Sequence, residues 1–375
     1  MQQQPEVSRR RFLGMMGAAA GPMVVPASVF GATAPSERIG IGMIGMGRQA
    51  RHANLPPFLH SPDTVVLAVC DVDAWRLDQA RQLVEKHYAS ARASGKYRGC
   101  AACRDFRDVL ARPDIDAVMI STPDHWHVPQ AIAAVRAGKD ISVEKPLTLS
   151  IAEGRALCDE VARYARVSRT DSEFRSHGYM RRACELVLNG RIGKLHTIRT
   201  GVPRGDRACG PQPVMPVPEE LDYDLWLGPA PDAPYTRRRV HTPHSYARPG
   251  WMRVRDYCDG MICNWGTHLN DIAQWGLGMD DSGPVEIVPP EDPSEGRGVK
   301  FIYENGVEMI HGGRGGVTFF GTEGEIFVNR GQLESKPEDV IEEEIGDDEV
   351  RLYRSESGGH GGHRQDWIDC VRSRQ

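Results

Sequence analysis

Through its first half the chain alternates short apolar runs with longer, more polar stretches. Arg38-Ile-Gly-Ile-Gly-Met-Ile44, Thr64-Val-Val-Leu-Ala-Val-Cys70, Ala117-Val-Met-Ile-Ser121 and Ile141-Ser-Val143 read as buried strands. Between them, helical patterns run from about Ala74 to Ser90, from Phe106 to Ala111, and from Pro129 to Ala137, the last closed by Gly138. Repeated βα winding of this kind predicts a parallel sheet. Helices from Ser150 to about Arg166 and from Arg181 to Gly190 follow, and after Gly193 the texture changes to strands. Val299–Tyr303 and Val307–Ile310 flank an Asn305-Gly306 hairpin signal, and Val317–Phe320 and Ile326–Val328 flank Glu323-Gly324. The second half is therefore expected to be a largely antiparallel, open sheet with helices on one face. With 375 residues, 40% of them hydrophobic, two domains can each bury a core. The predicted class is α/β, with a parallel-sheet domain over residues 35–150, a second α/β domain over 151–358 and a helix beginning in 359–375.

The N-terminus departs from this pattern. Ser8-Arg-Arg-Arg-Phe-Leu13 precedes a Gly/Ala/Met/Val-rich stretch to about Val25 and small residues from Ala27 to Ala34. It is similar to a twin-arginine export signal, so residues 1–34 are kept out of the fold, and a periplasmic or cell-envelope location is expected. The stretch is too short and too Gly-rich for a stable membrane span. A net charge of −5 gives no support for nucleic acid or an anionic membrane surface as partner. Nine cysteines form no regular framework, and Cys100-Ala-Ala-Cys103 lacks a second half-site, so no metal centre is expected there.

The strand ends carry the candidate chemistry. Gly45-Met-Gly47-Arg48-Gln49-Ala50 follows the first strand as GxGxxA: Gly45 for a tight turn, Gly47 for close approach of a pyrophosphate, Ala50 for helix-to-strand packing. Asp71 closes the second strand, where an acid bonds ribose hydroxyls and repels a 2′-phosphate; NAD is thus expected over NADP. Thr122-Pro123-Asp-His-Trp-His127 and Glu144-Lys145-Pro146 fall after two further strands and face the same crevice, the His pair either capping a helix or touching a ligand. In Gly260–Trp275, Thr267 is placed to cap a helix on which His268, Asp271 and Trp275 share one face, with a His–Asp pair as the plain alternative. The Arg-, His- and aromatic-rich run Arg237–Arg255 suits either a polyhydroxylated ligand or an oligomer interface. No third ligand accompanies His241 and His244, which argues against a metal pair.

Together the GxGxxA turn, Asp71, Thr122–His127, Glu144–Pro146, Asn189–Gly193 and Gly260–Trp275 resemble the Gfo/Idh/MocA oxidoreductases, from Arg38 almost to the end of the chain. The resemblance implies a Rossmann-type domain joined to an open-faced α/β domain, with a sugar, inositol or other polyol bound between them, and a homo-oligomer. It implies Lys145 and His268 as the catalytic pair, the imidazole taking a hydroxyl proton at a pKa near neutrality. Trp251, Arg253, Asn264 and His268 are expected at the substrate. Two features depart from the family pattern. Asn264 stands where many relatives carry Asp, so it orients rather than relays a proton. The late helix from Gly359 stops early, as in a truncated reading frame. Three functions follow in order of expectation: an exported NAD-dependent polyol oxidoreductase, a relative that retains NAD and assists glycoside cleavage by transient oxidation, and a cofactor-binding protein without catalysis.

Overall fold

The computed structural model describes residues 37–203, 210–354 and 359–375, so the twin-arginine segment, Cys209 and the side chains of Glu295 and His360 lie outside the described residues. The apolar runs of the first half become β1 (Ile39–Ile44), β2 (Thr64–Cys70), β4 (Ala117–Ile120) and β5 (Asp140–Val143), joined by the short β3 (Ala101–Cys103) and β6 (Ser168–Thr170). All pair in parallel, in the order β3-β2-β1-β4-β5-β6. Every residue of β1, β4 and β5 is buried, as a sheet covered on both faces requires. The order reverses between β1 and β4, and that switch point opens a crevice at the strands' carboxyl ends.

Helix α1 (Leu55–His60) continues a wider π turn over Ala50–Asn54; α2 (Ala74–His87), α3 (Phe106–Leu110) and α4 (His127–Arg136) complete the winding. Cys100 precedes β3 and Cys103 ends it, and like the other described cysteines they are unpaired. Helix α5 (Ile151–Tyr164) begins in a capping box between Ser150 and Glu153, the start signal expected at Ser150.

The second sheet has seven strands in the order β13-β12-β11-β7-β10-β9-β8. The expected hairpins are β9 (Lys300–Ile302) with β10 (Glu308–His311), and β11 (Gly316–Gly321) with β12 (Glu325–Val328). Three strands were not marked by the sequence pattern: β7 (Leu195–Gly201), β8 (Glu286–Val288) and β13 (Leu333–Lys336). β7 is central, pairs antiparallel with β11 but parallel with β10, and sets exposed Arg199 between buried Ile198 and Thr200. Its open face is polar, which hides its signal. Helices α6 (Gly178–Leu188) and α8 (Gly266–Leu277) pack on the other face around Phe319, Ile198 and Ile272.

The last helix, α9 (Gly359–Ser373), returns to the first half. Trp367, Ile368 and Val371 join the core that holds Phe58 and Leu59. Arg364, only 1% exposed, donates to Asn54 and, at 2.6 Å, to Asp171.

Candidate active site

A cavity of about 880 Å³ opens at the switch point and runs from the glycine turn to the start of α8. Its first wall is the turn after β1. Gly45 has φ +82°, and a Cβ there would lie 2.8 Å from the backbone of Ser121 and Thr122, so only glycine fits. A Cβ on Gly47 would meet nothing within 4 Å, which leaves an open cradle where a pyrophosphate could lie. Arg48 and Gln49 line the same cradle, while Ala50 is fully buried behind it. Asp71 lines the cavity too, but its oxygens already accept from the N–H of Met46 at 2.7 Å and of Asp73 at 2.9 Å. The carboxylate therefore clamps the glycine turn to the end of β2, and a ribose would use its remaining lone pairs. The residues present fit a dinucleotide.

The next wall is the loop after β4, with Thr122, Pro123 and His127 lining it. His127 bridges two loops, with Nδ1 2.7 Å from the Pro146 carbonyl and Nε2 3.0 Å from that of Thr122. Two carbonyl partners favour a charged ring, yet complete burial outweighs them and pushes the imidazole down to about 4. His125 reaches the Trp226 carbonyl at 3.1 Å, as does Trp126 Nε1 at 3.0 Å, which ties this loop to the short helix α7 (Tyr223–Leu227). Burial likewise holds His125 at about 4. Asp124, buried beside Cys258, is pushed up to about 7 by desolvation.

Lys145 and His268 meet at the far end. Lys145 Nζ donates to Asn264 Oδ1 at 3.0 Å and to its carbonyl at 3.3 Å, across 119 residues of sequence. Asn264 ends a one-turn helix, Gly260–Asn264, just before α8. His268 is 5% exposed, stacked on Phe174 with centroids 4.4 Å apart and the edge of Trp265 beside it. Burial, then the charge of Lys145, pushes its imidazole down to about 3. The near-neutral ring expected from the sequence is thus corrected, because the site is drier and more cationic than an exposed His would meet. The His–Asp pair is corrected as well: Asp271 takes both its bonds, at 2.8 Å, from Arg175. Thr267 lies within α8 and donates to the Cys263 carbonyl; Trp265 occupies the cap position.

These histidines carry a pH prediction. A depressed pKa keeps the rings of His125, His127 and His268 neutral from pH 8 down to about 5, and protonation begins only below that. Imidazole NMR should show no change in these three signals across pH 8 to 5. A ring among them titrating near 6.5 would contradict the burial argument.

Glu144 sits under Lys145, its Oε1 accepting from Asn54 at 2.9 Å. Burial, then neighbouring Asp171, raises its carboxyl to about 8. Asp171 stays far below the usual range despite its burial, because Arg169, His363 and Arg364 surround it. Glu173 and Arg330 also line this end, paired at 3.0 Å. Neither was marked by the sequence: Glu173 lies in a short turn after β6, and Arg330 in the turn between β12 and β13, where only the fold brings them to Lys145.

The segment 237–255 contributes His241, Ala247, Pro249, Trp251 and Met252 to the cavity wall. Trp251 lines the cavity; Arg253 is not among its lining residues. Its other contacts reach the first half of the same chain: His241 Nε2 lies 2.7 Å from Asp73 Oδ2, and Arg76 donates to the Ser245 carbonyl at 2.6 Å. Tyr246 stacks under the guanidiniums of Arg51 and Arg76, 4.8 and 5.0 Å from its centroid. His244 faces Glu220 at 3.2 Å, so the two histidines serve different carboxylates. Among the described residues no group of three or more His, Cys, Asp and Glu is placed to hold a metal ion.

Known proteins match this arrangement. Residues 39–171 match the "Oxidoreductase family, NAD-binding Rossmann fold", and residues 208–333 match the "Oxidoreductase family, C-terminal alpha/beta domain" of the same group. Two relatives, from Shewanella pealeana and Saccharopolyspora erythraea, are each named a glycosyl hydrolase family 109 protein. They are 35% identical over 146 residues and 36% over 123 residues, covering 39% and 33% of this chain. The chain spans only 30% and 26% of the length of those relatives. The fold is shared with KijD10, a 3-ketoreductase from Actinomadura kijaniata in complex with TDP-benzene and NADP, at a TM-score of 0.56 and 17% identity over 90% of both chains. It is shared equally with the WlbA dehydrogenase from Bordetella pertussis in complex with NADH and UDP-GlcNAcA, at a TM-score of 0.56 and 18% identity over 90% of this chain and 89% of that one. With both of its characteristic domains matched in order, this chain belongs to the Gfo/Idh/MocA family of NAD-binding oxidoreductases.

Proposed function

We propose that the protein is an NAD-dependent oxidoreductase acting on a secondary hydroxyl of a sugar, inositol or related polyol. The observation that carries this is the convergence of Lys145, Asn264 and His268 on the same cavity as the Gly45–Gly47 cradle. Gly45, Gly47, Arg48, Gln49, Asp71, Thr122 and Glu144 would hold the dinucleotide, and a bound nicotinamide supplies the hydride acceptor. Asp71 in the ribose position favours NAD over NADP.

Lys145 would exchange its bond to Asn264 for one to the substrate oxygen and stabilise the charge that develops there. His268 Nδ1 is sealed without a hydrogen-bond partner among the described residues, which leaves Nε2 as the nitrogen that meets substrate. A neutral ring can take the hydroxyl proton at that atom. As the alkoxide draws on the field of Lys145, the depression of His268 is relieved and its basicity rises. Asn264 orients Lys145, since an amide cannot carry a proton between groups. The basic run Ser8–Leu13 supports export through the twin-arginine route.

A second reading has its own support. The relatives named glycosyl hydrolase family 109, together with a cavity wall in which the segment 237–255 is tied to Asp73 and Arg76 of the first half, favour retained NAD and transient oxidation that assists glycoside cleavage. One assay separates the two: NAD with a panel of sugars, inositols and aryl glycosides, following reduced-cofactor absorbance and released aglycone. Accumulating NADH supports the dehydrogenase, and aglycone release without net reduction supports the glycosidase. Silence in both channels would sink both.

A further inference from the structure

We infer that the substrate of this site is an acid: a sugar or polyol bearing a carboxylate, which docks on Arg330 while its hydroxyl reaches Lys145 and His268. This deepens the proposed function and rests on it for the identity of the reacting hydroxyl. Arg330 lines the same cavity, and its side chain is 45% exposed. Its Nη2 is spent on Glu173, whereas Nε and Nη1 make no hydrogen bond among the described residues. The guanidinium lies 4.7 Å from the Phe174 centroid and 5.4 Å from that of Trp265, the two rings that flank His268. Those rings hold it beside the His268 imidazole, and a planar guanidinium fork is the group that matches a carboxylate in two bonds.

The charge balance points the same way. Among the described residues lining this end, Lys145 and Arg330 are cations, Glu173 is paired with Arg330 at 3.0 Å, and burial raises the carboxyls of Asp124 and Glu144. The ammonium of Lys145 is held at 3.0 Å by a neutral amide, that of Asn264. A carboxylate on the substrate would supply the counter-charge that Asn264 cannot.

Calorimetric binding to the NAD-loaded protein tests this with three matched pairs: D-glucuronate and D-glucose, D-galacturonate and D-galactose, D-gluconate and D-glucitol. In at least one pair the acid should bind ten-fold tighter or better than its neutral partner. Arg330→Gln should reduce that preference to two-fold or less with NAD affinity and Tm retained, and Arg330→Lys should keep part of it. Equal affinity within every pair, no binding by any acid, or a preference that survives in Arg330→Gln would overturn the proposal. Absorbance at the NADH band is read separately. Acid-selective binding without reduction would sink the oxidoreductase reading and leave the anion site standing.

Discussion

Lys145→Ala is expected to lower turnover by roughly 10²–10³-fold or more, as removal of a lone transition-state donor does elsewhere, while NAD affinity changes little. The asymmetry follows from where the atoms lie. The backbone of Lys145 belongs to the loop after β5, on the floor of the dinucleotide crevice, but its Nζ points away to Asn264, 119 residues on. Truncation removes the ammonium and leaves Gly45, Gly47 and Asp71 untouched. It also lifts one cause of the depressed basicity of His268, so the variant separates the two roles. If Lys145 acts on the substrate oxygen, the loss persists at every pH. If it acted only by tuning His268, the acidic limb of the rate profile would shift upward and turnover would recover at higher pH. Steady-state kinetics from pH 5 to 9 with cofactor titration by fluorescence decide between them, and unchanged turnover would remove Lys145 from the chemistry.

The largest stability effect is expected at Arg364→Ala. This guanidinium is sealed from solvent and meets Asn54, Asp171 and, at 3.6 Å, Glu173. Deleting it leaves Asp171 to Arg169 and His363 and Glu173 to Arg330 while removing the cation buried between them, and loss of one partner of a buried pair costs about 3–5 kcal/mol. For a chain of this size that corresponds to a fall in Tm of about 10 °C. Asn54 would lose the contact on its oxygen while its amide still faces Glu144, so cofactor affinity should weaken along with stability. Thermal unfolding monitored by circular dichroism checks the first effect, and a fall under 2 °C would show that the network is dispensable.

Much of the first domain is legible because a parallel sheet covered on both faces demands unbroken apolar runs, and β1, β2, β4 and β5 supply them. The glycine turn is legible for a related reason: each small residue answers a steric demand within a few positions. Lys145 and His268 could be placed because motifs mark them. Glu173 and Arg330 could not, since each sits in a short turn whose local sequence carries no signal and gains meaning only from contacts across the cavity. β7 was missed because half its residues face an open, polar side. The depressed basicity of His268 is illegible in the sequence for the same reason of scale, as burial and the Lys145 charge are properties of the assembled site. The segment 237–255 shows the converse: its composition was visible, but not that its rings would seat against Asp73, Arg51 and Arg76 of the same chain.

The return of α9 to the first half has a consequence for the order in which the protein is made. Asn54 and Arg364 are separated by 310 residues, and no local contact can substitute for their bond. During synthesis the parallel sheet can assemble once β6 has emerged, but Asn54, Glu144 and Asp171 cannot take their final arrangement until Arg364 has left the ribosome. A nascent chain halted before α9 should therefore hold a folded sheet with an unfinished cofactor floor.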